Sequence, residues 1–326
     1  MPQADAGRLD PPRSGRARST RLIVLLAGLF FLSGASGLIY QVLWLRLLGL
    51  VFGVTVQAAS TVWAAFMAGL AAGSVAGGRI GDRSARPLLW FGAAEALIGI
   101  TALLTPGALD GLQHVYAALS PRLPESLAAM TIVRLALAFA VLLVPTMLMG
   151  ASLPLIVKSA LFRREDLGGR ISLLYGINTA GAIAGTLAAG LLLIPWLGLT
   201  WTFVVAATAN ISVGLTAMAL GRGQPVAIAG YAPTPPAEGP SSAPAGLQRL
   251  LLGVFFVSGL ATLALEVVWF RVIALIVRPT VYAFSLMLAS VLLGIAAGSA
   301  LMTPLMRRPR PWLRILAVIQ VLMGAC

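Results

Sequence analysis

Long apolar runs alternate with short polar and basic interruptions along almost the whole chain. The runs lie near residues 22–43, 55–78, 88–106, 127–153, 171–194, 199–220, 250–276 and 281–305, and a last one extends from Trp312 to Cys326. About 20 mainly apolar residues, rising 1.5 Å each as a helix, cross a hydrocarbon core of roughly 30 Å. The first eight runs have that length. The pattern therefore predicts an all-α integral membrane protein. Residues 1–21 form a polar, basic segment expected to be a disordered cytoplasmic tail, and residues 221–247, rich in Pro, Gly and Ser, read as a linker. The first six helices, residues 22–220, make one unit, and residues 248–326 begin a second. The last run would reach only about 22 Å as a helix, so the sequence is expected to be cut inside a ninth helix.

Composition strengthens the membrane reading. Hydrophobic residues make up 59% of the 326 and charged residues only 10%, against about 25% charged in an ordinary soluble domain. The net charge of +13 does not suggest nucleic acid, because the basic residues stand in clusters between apolar runs rather than along one face beside stacking aromatics. Five lie in the N-terminal tail, three in the loop after helix 2, four after helix 4, two in the linker and four after helix 8. That places 18 of the 23 Lys and Arg residues in the tail and the even-to-odd loops. Basic loops stay in the cytoplasm, so the expected location is the cell (plasma) membrane, multi-pass, with a cytoplasmic N-terminus. A cleaved signal peptide fits less well. The run from Leu22 to Tyr40 exceeds the usual apolar region of about 7–15 residues. Cys326 is the only cysteine, and the only histidine, His114, falls in an expected loop. Neither a disulfide framework nor a metal centre is expected.

An ungapped repeat divides the chain. Phe30, Phe31, Ser33 and Gly34 return as Phe255, Phe256, Ser258 and Gly259, an offset of 225 residues. In the same register Trp44 and Arg46 return as Trp269 and Arg271, and Gly69, Gly73 and Ser74 as Gly294, Gly298 and Ser299. Six spans separate the copies. Both copies therefore share one orientation, as in parallel repeats of six-helix halves.

Several motifs invite a structural and a functional reading. Gly69, Gly73 and Gly77 in helix 2, Gly181 and Gly185 in helix 5, and Gly294 and Gly298 in helix 8 are spaced by four. Small residues on one helix face let backbones approach closely. Polar groups within spans are expensive, which singles out Glu95, Arg134, Glu266 and Gln41, the last standing where Glu266 stands in the second copy. Glu266 calls for a partner or a watery cavity, Arg134 for such a cavity or the outer headgroups, and Glu95 for a helix contact. Gln41, Arg134 and Glu266 are the candidate cavity residues, expected to meet a small cationic solute. Trp44 and Trp269 read as interfacial anchors at the outer helix ends. Pro145 and Pro154 are expected to kink or end helix 4. No nucleotide-binding fingerprint, metal-ligand cluster or catalytic constellation is present within residues 1–326. No cofactor is expected, and the oligomeric state is left open.

The segment Gly78-Arg79-Ile80-Gly81-Asp82-Arg83-Ser84-Ala85-Arg86 resembles the loop signature of major-facilitator transporters, with Gly78, Asp82, Arg83 and Arg86 at its matching positions. That likeness makes them a candidate latch between helix ends. Longer segments, among them Ser33 to Leu48, Ala65 to Leu70, Pro145 to Pro154, Leu174 to Ala182 and Leu265 to Arg271, resemble the fused major-facilitator/spermidine-synthase membrane proteins of bacteria. The resemblance implies a major-facilitator-like bundle, here one six-helix half and the first two to three helices of a parallel second repeat. It also implies an aminopropyltransferase-like domain beyond Cys326. The leading expectation is a transporter-like module that moves or binds a polyamine or related small solute. The alternative is a non-transporting membrane anchor for the downstream domain.

Overall fold

The computed structural model describes residues 13–52, 56–119, 121, 126–159, 167–223, 245–276, 281–306 and 312–325. Among them are helices α1 (Arg13–Phe52), α2 (Val56–Arg83), α3 (Pro87–Leu119), α4 (Leu127–Val157) and α5 (Leu167–Ala188). A π-helical turn, Ala189–Leu193, leads into α6 (Ile194–Arg222), followed by α7 (Ala245–Ile276), α8 (Val281–Met306) and α9 (Trp312–Ala325). No strand occurs among the described residues.

Among the described residues six helical segments are long and apolar enough to cross a membrane. One of them, Ser172–Arg222, is two helices, because the backbone leaves the helical region at Gly198 (φ 75°, ψ 179°). That conformation is open essentially only to glycine, and it falls in the gap expected between 194 and 199. Large apolar side chains point outward, with Trp196 and Ile276 each 79% exposed and Phe256 73%. A water-soluble monomer rarely carries so extensive an apolar surface. This is the architecture of a multi-pass membrane protein.

Glycines decide which helices meet. α1 packs chiefly along α5, α2 along α4 and α3 along α6. A Cβ on Gly69 would overlap the Thr146 side chain, one on Gly73 the Met147 carbonyl and one on Gly77 the Ala151 backbone, while Gly150 closes on Leu70 in return. Gly181 and Gly185 of α5 abut the carbonyls of Phe31 and Ala35 in α1. The contacts also fix direction. Positions rise together from 69 to 77 in α2 and from 146 to 151 in α4, so these helices run parallel, as do α1 and α5. Gly92, Gly99 and Gly221 pair Met218, Ile211 and Leu89, so α3 and α6 run antiparallel. In these three pairs, helices an even number apart run parallel and those an odd number apart run antiparallel.

In the 225-residue register α2 (Val56–Arg83) corresponds to α8 (Val281–Met306), and α3 (Pro87–Leu119) to α9 (Trp312–Ala325). The packing does not repeat in the same way. Gly259, Gly294 and Gly298 have nothing within 4 Å, contrary to the packing role expected for the last two. Among the described residues no helix stands against α8 as α4 stands against α2.

Other expectations change here. α1 begins at Arg13, inside the segment read as a tail; residues 1–12 and 224–244 lie outside the described residues. α3 continues through Pro106 to Leu119, so His114 is helical, its Nδ1 2.9 Å from the Asp110 carbonyl. Hydropathy falls there because the helix becomes two-sided: Leu109 and Leu112 are buried, while Asp110, Gln113 and His114 are exposed. α4 starts at an N-cap in which the Ala129 N–H donates to Ser126 Oγ, and it runs through both Pro145 and Pro154 to Val157. Trp44 is not an anchor. It is fully buried, while Trp269 is 53% exposed, because α1 lies inside the bundle and α7 at its margin.

Candidate functional site

Two apolar clusters fill the first six helices, and a polar layer separates them. One cluster includes Tyr40, Leu43, Ile98, Leu142 and Phe203; the other includes Leu26, Phe30, Phe91, Leu155 and Val213. Between them along each helix lie Ser33 in α1, Glu95 in α3, Ser152 in α4 and Asn210 in α6. Glu95 is fully buried. Ser33 Oγ and Ser152 Oγ each donate to its Oε1 at 2.7 Å, and Asn210 Nδ2 donates to its Oε2 at 2.5 Å. One carboxyl group thus joins four helices. The layer also holds Asn178 of α5, whose Nδ2 donates to the Phe30 carbonyl at 3.0 Å.

The second copy reproduces one of these bonds. Residues 33 and 95 correspond to 258 and 320 in the 225-residue register, and Gln320 Nε2 donates to Ser258 Oγ at 2.9 Å. Acid and amide are exchanged between copies. The first has Gln41 and Glu95; the second has Glu266 and Gln320.

A different group of residues forms the seam between the first six helices and α7–α8. Trp63 of α2 stands edge-on to Phe270 of α7 with ring centroids 5.6 Å apart, and stacks on Phe284 of α8 at 6.0 Å. Phe270 and Phe284 meet edge-to-face at 6.0 Å. Nearby in the same apolar cluster, Tyr40 stacks on Trp44 at 5.7 Å and on Phe203 at 6.2 Å, and Trp44 tilts against Phe66 at 6.3 Å. Four polar atoms in this region, Tyr40 Oη, Trp44 Nε1, Trp63 Nε1 and Ser285 Oγ, are buried without a protein hydrogen-bond partner. Glu266 is 8% exposed and lies four residues, one helical turn, before Phe270. Neighbours at that spacing share a helix face, so Glu266 and Phe270 stand on the same face of α7.

The three candidate cavity residues lie on three helices, Gln41 on α1, Arg134 on α4 and Glu266 on α7. Gln41 is buried within α1. Arg134 turns to α3, where its Nε donates to Tyr116 Oη at 3.2 Å and its guanidinium lies 5.7 Å from that ring's centroid. α7 packs on α8 and α2, not along α4, so Glu266 and Arg134 belong to different contacts. The candidate latch changes as well. α2 continues through Gly78, Asp82 and Arg83, leaving only Ser84, Ala85 and Arg86 as the loop. Asp82 pairs with Lys158 at the C-cap of α4. It therefore ties together two helices that already pack within the first half.

Sequence inspection singled out Glu95 and Glu266 by their cost in a span, but not their surroundings. Asn210 carried the same signal, a lone amide in an apolar helix. Trp63, Phe270 and Phe284 carried none, since aromatics in an apolar run read as lipid-facing or core.

No family model matches the chain. It is 29% identical over 221 residues to a protein of Streptomyces coelicolor described as "Polyamine aminopropyltransferase 2", an alignment covering 68% of this chain and 37% of the relative. The chain thus matches little more than a third of that protein's length.

Proposed function

We propose that the chain is the membrane module of a transporter-like protein that binds and moves a cationic solute of the polyamine class. The observation that carries this reading is the aromatic seam of Trp63, Phe270 and Phe284, whose Phe270 shares a face of α7 with the buried Glu266. Faces of Trp and Phe attract ammonium groups, more strongly when desolvated. A carboxylate within a span is stabilised by a cation or by water. A polyamine offers several ammonium groups separated by methylenes, which suits a carboxylate and a ring on one helix face. The likeness to an aminopropyltransferase described by its polyamine substrate favours the same class of solute.

The helix pairing supports a major-facilitator-like plan, in which inverted three-helix units are nested within each six-helix half. Exchanging α1–α3 for α4–α6 turns the α1–α5 pair into α4–α2 and maps α3–α6 onto itself. The unit then repeats in parallel, as the Ser33–Glu95 and Ser258–Gln320 bonds suggest. In this reading residues 79–86, 158–170 and 221–247 face the cytoplasm. Single cysteines placed there should react with a membrane-impermeant maleimide only after cells are opened. Labelling of intact cells at these positions would reverse the topology.

Binding of radiolabelled spermidine to the purified chain tests the function. Glu266→Gln and Trp63→Leu should each weaken saturable binding about tenfold or more, the scale of a lost charge-assisted or desolvated cation–π contact. Trp196→Leu, on the lipid-facing surface, should bind as the parent does. Unchanged binding in the first two variants, or no saturable binding at all, would favour the anchor reading. The short alignment with a much longer transferase is what speaks for that alternative.

A further inference from the structure

A groove of about 550 Å³ opens at the end of the bundle that carries the short loop between α2 and α3. It is lined by Ser84, Arg86, Leu89, Trp90, Met218 and Arg222, together with Ala85 and Ala93. The lining is graded along the helices. Arg86 immediately precedes α3, and Arg222 ends α6. One turn further in come Leu89, Trp90 and Met218, and a turn beyond them Ala93. The two helices touch where Gly221 meets Leu89, so both guanidinium-bearing residues lie within about a turn of one contact. The groove is therefore cationic at its mouth and apolar along its floor.

Nearby charges do not neutralise the mouth. No carboxylate lines the groove, and Asp82, the nearest acid in sequence to Arg86, is paired with Lys158. The positive N-terminal end of α3 and the negative C-terminal end of α6 oppose one another there, so the guanidinium groups set the sign. Trp90, four residues into α3, is 51% exposed, and indoles favour the headgroup region of a bilayer.

We propose that this groove binds an anionic phospholipid, with the phosphodiester between Arg86 and Arg222 and the upper part of an acyl chain against Leu89, Ala93 and Met218. Guanidinium groups suit phosphate oxygens because their planar fork presents paired donors, and basic pockets between membrane helices favour anionic headgroups. A free phosphate would use the mouth but leave the apolar floor unfilled, so the lipid is the better fit. The proposal does not depend on what the aromatic seam binds.

Native mass spectrometry of the purified chain, titrated with phosphatidylglycerol or phosphatidylcholine, provides the test. Phosphatidylglycerol should form a saturable one-to-one adduct that phosphatidylcholine and millimolar inorganic phosphate do not displace. The double variant Arg86→Ala/Arg222→Ala should bind it about ten- to a hundredfold more weakly, as expected for two lost charge-assisted contacts. Arg79→Ala/Arg249→Ala removes the same charge outside the groove and should retain the parent affinity. Helix content by circular dichroism shows whether each variant is folded; if the groove variant unfolds, Arg86→Lys/Arg222→Lys replaces it and should show an intermediate loss. Equal loss in both double-alanine variants would mean diffuse attraction to basic loops. Displacement by inorganic phosphate would mean a soluble-anion site, and equal binding of phosphatidylcholine a merely apolar groove. Each of these results overturns the proposal.

Discussion

Glu95→Leu should destabilise the bundle by about 2–5 kcal/mol, which is three hydrogen bonds at the roughly 0.6–1.7 kcal/mol measured for interhelical bonds in membranes. The three bonds come from Ser33, Ser152 and Asn210, on helices α1, α4 and α6. In a fully buried site the freed hydroxyl and amide groups find no water, so the loss includes their own desolvation. Ser152 can fall back on the Leu148 carbonyl, which it already approaches at 3.3 Å, whereas Asn210 already has an unpartnered Oδ1. Glu95→Gln should cost less than about 1 kcal/mol by the same scale. Its carbonyl can accept from both serines, and the Asn210 amide can turn over to accept from the new NH2. The second copy supplies a precedent, since Gln320 stands in the corresponding seat and bonds Ser258. Unfolding in mixed micelles, followed by circular dichroism, measures both variants. Similar midpoints for the leucine and glutamine variants would show that the four-helix junction contributes no net stability.

Gly73→Leu should destabilise by about 3 kcal/mol or more, beyond the 1–3 kcal/mol usual when methylenes are forced into a packed core. Side chains in a core can change rotamer, but Gly73 meets the Met147 backbone carbonyl, which moves only if the two helices separate. Separation would also break the contacts of Gly69 and Gly77 with α4 and of Gly150 with α2. The penalty therefore falls on a whole interface and not on one residue. Gly78→Leu provides the control. Gly78 lies on the same helix with nothing within 4 Å, so the same substitution should leave stability within about 0.5 kcal/mol, as for an exposed site. Equal unfolding midpoints for the two variants would mean that the α2–α4 contact yields easily.

The membrane class was legible from hydropathy because a spanning helix satisfies its own backbone hydrogen bonds, so length and apolarity suffice to identify it; α2, richer in Gly and Ala, is helical without standing among the six apolar segments. The break near Gly198 was legible for a related reason: Gly is the residue that the required backbone turn admits. The repeat was legible as identity of sequence at an offset of 225 residues. The end of α3 was less legible, because past Pro106 the helix hides only a narrow stripe through Leu109 and Leu112.

Partnership was decided only in three dimensions. The glycine spacing marked Gly69, Gly73 and Gly77 as suited to close approach, but the same spacing at Gly294 and Gly298 meets open space. Likewise Trp44 and Trp269 share a sequence context, yet one is sealed inside the bundle and the other half-exposed. Glu95, which the sequence marked only for a helix contact, gathered partners 57, 62 and 115 residues away. The physical reason is that hydrophobicity places helices in a bilayer but scarcely distinguishes lipid from another helix as a neighbour. Which faces meet is then set by close packing and interhelical hydrogen bonds, which depend on the shapes of two distant segments together and are written in neither segment alone.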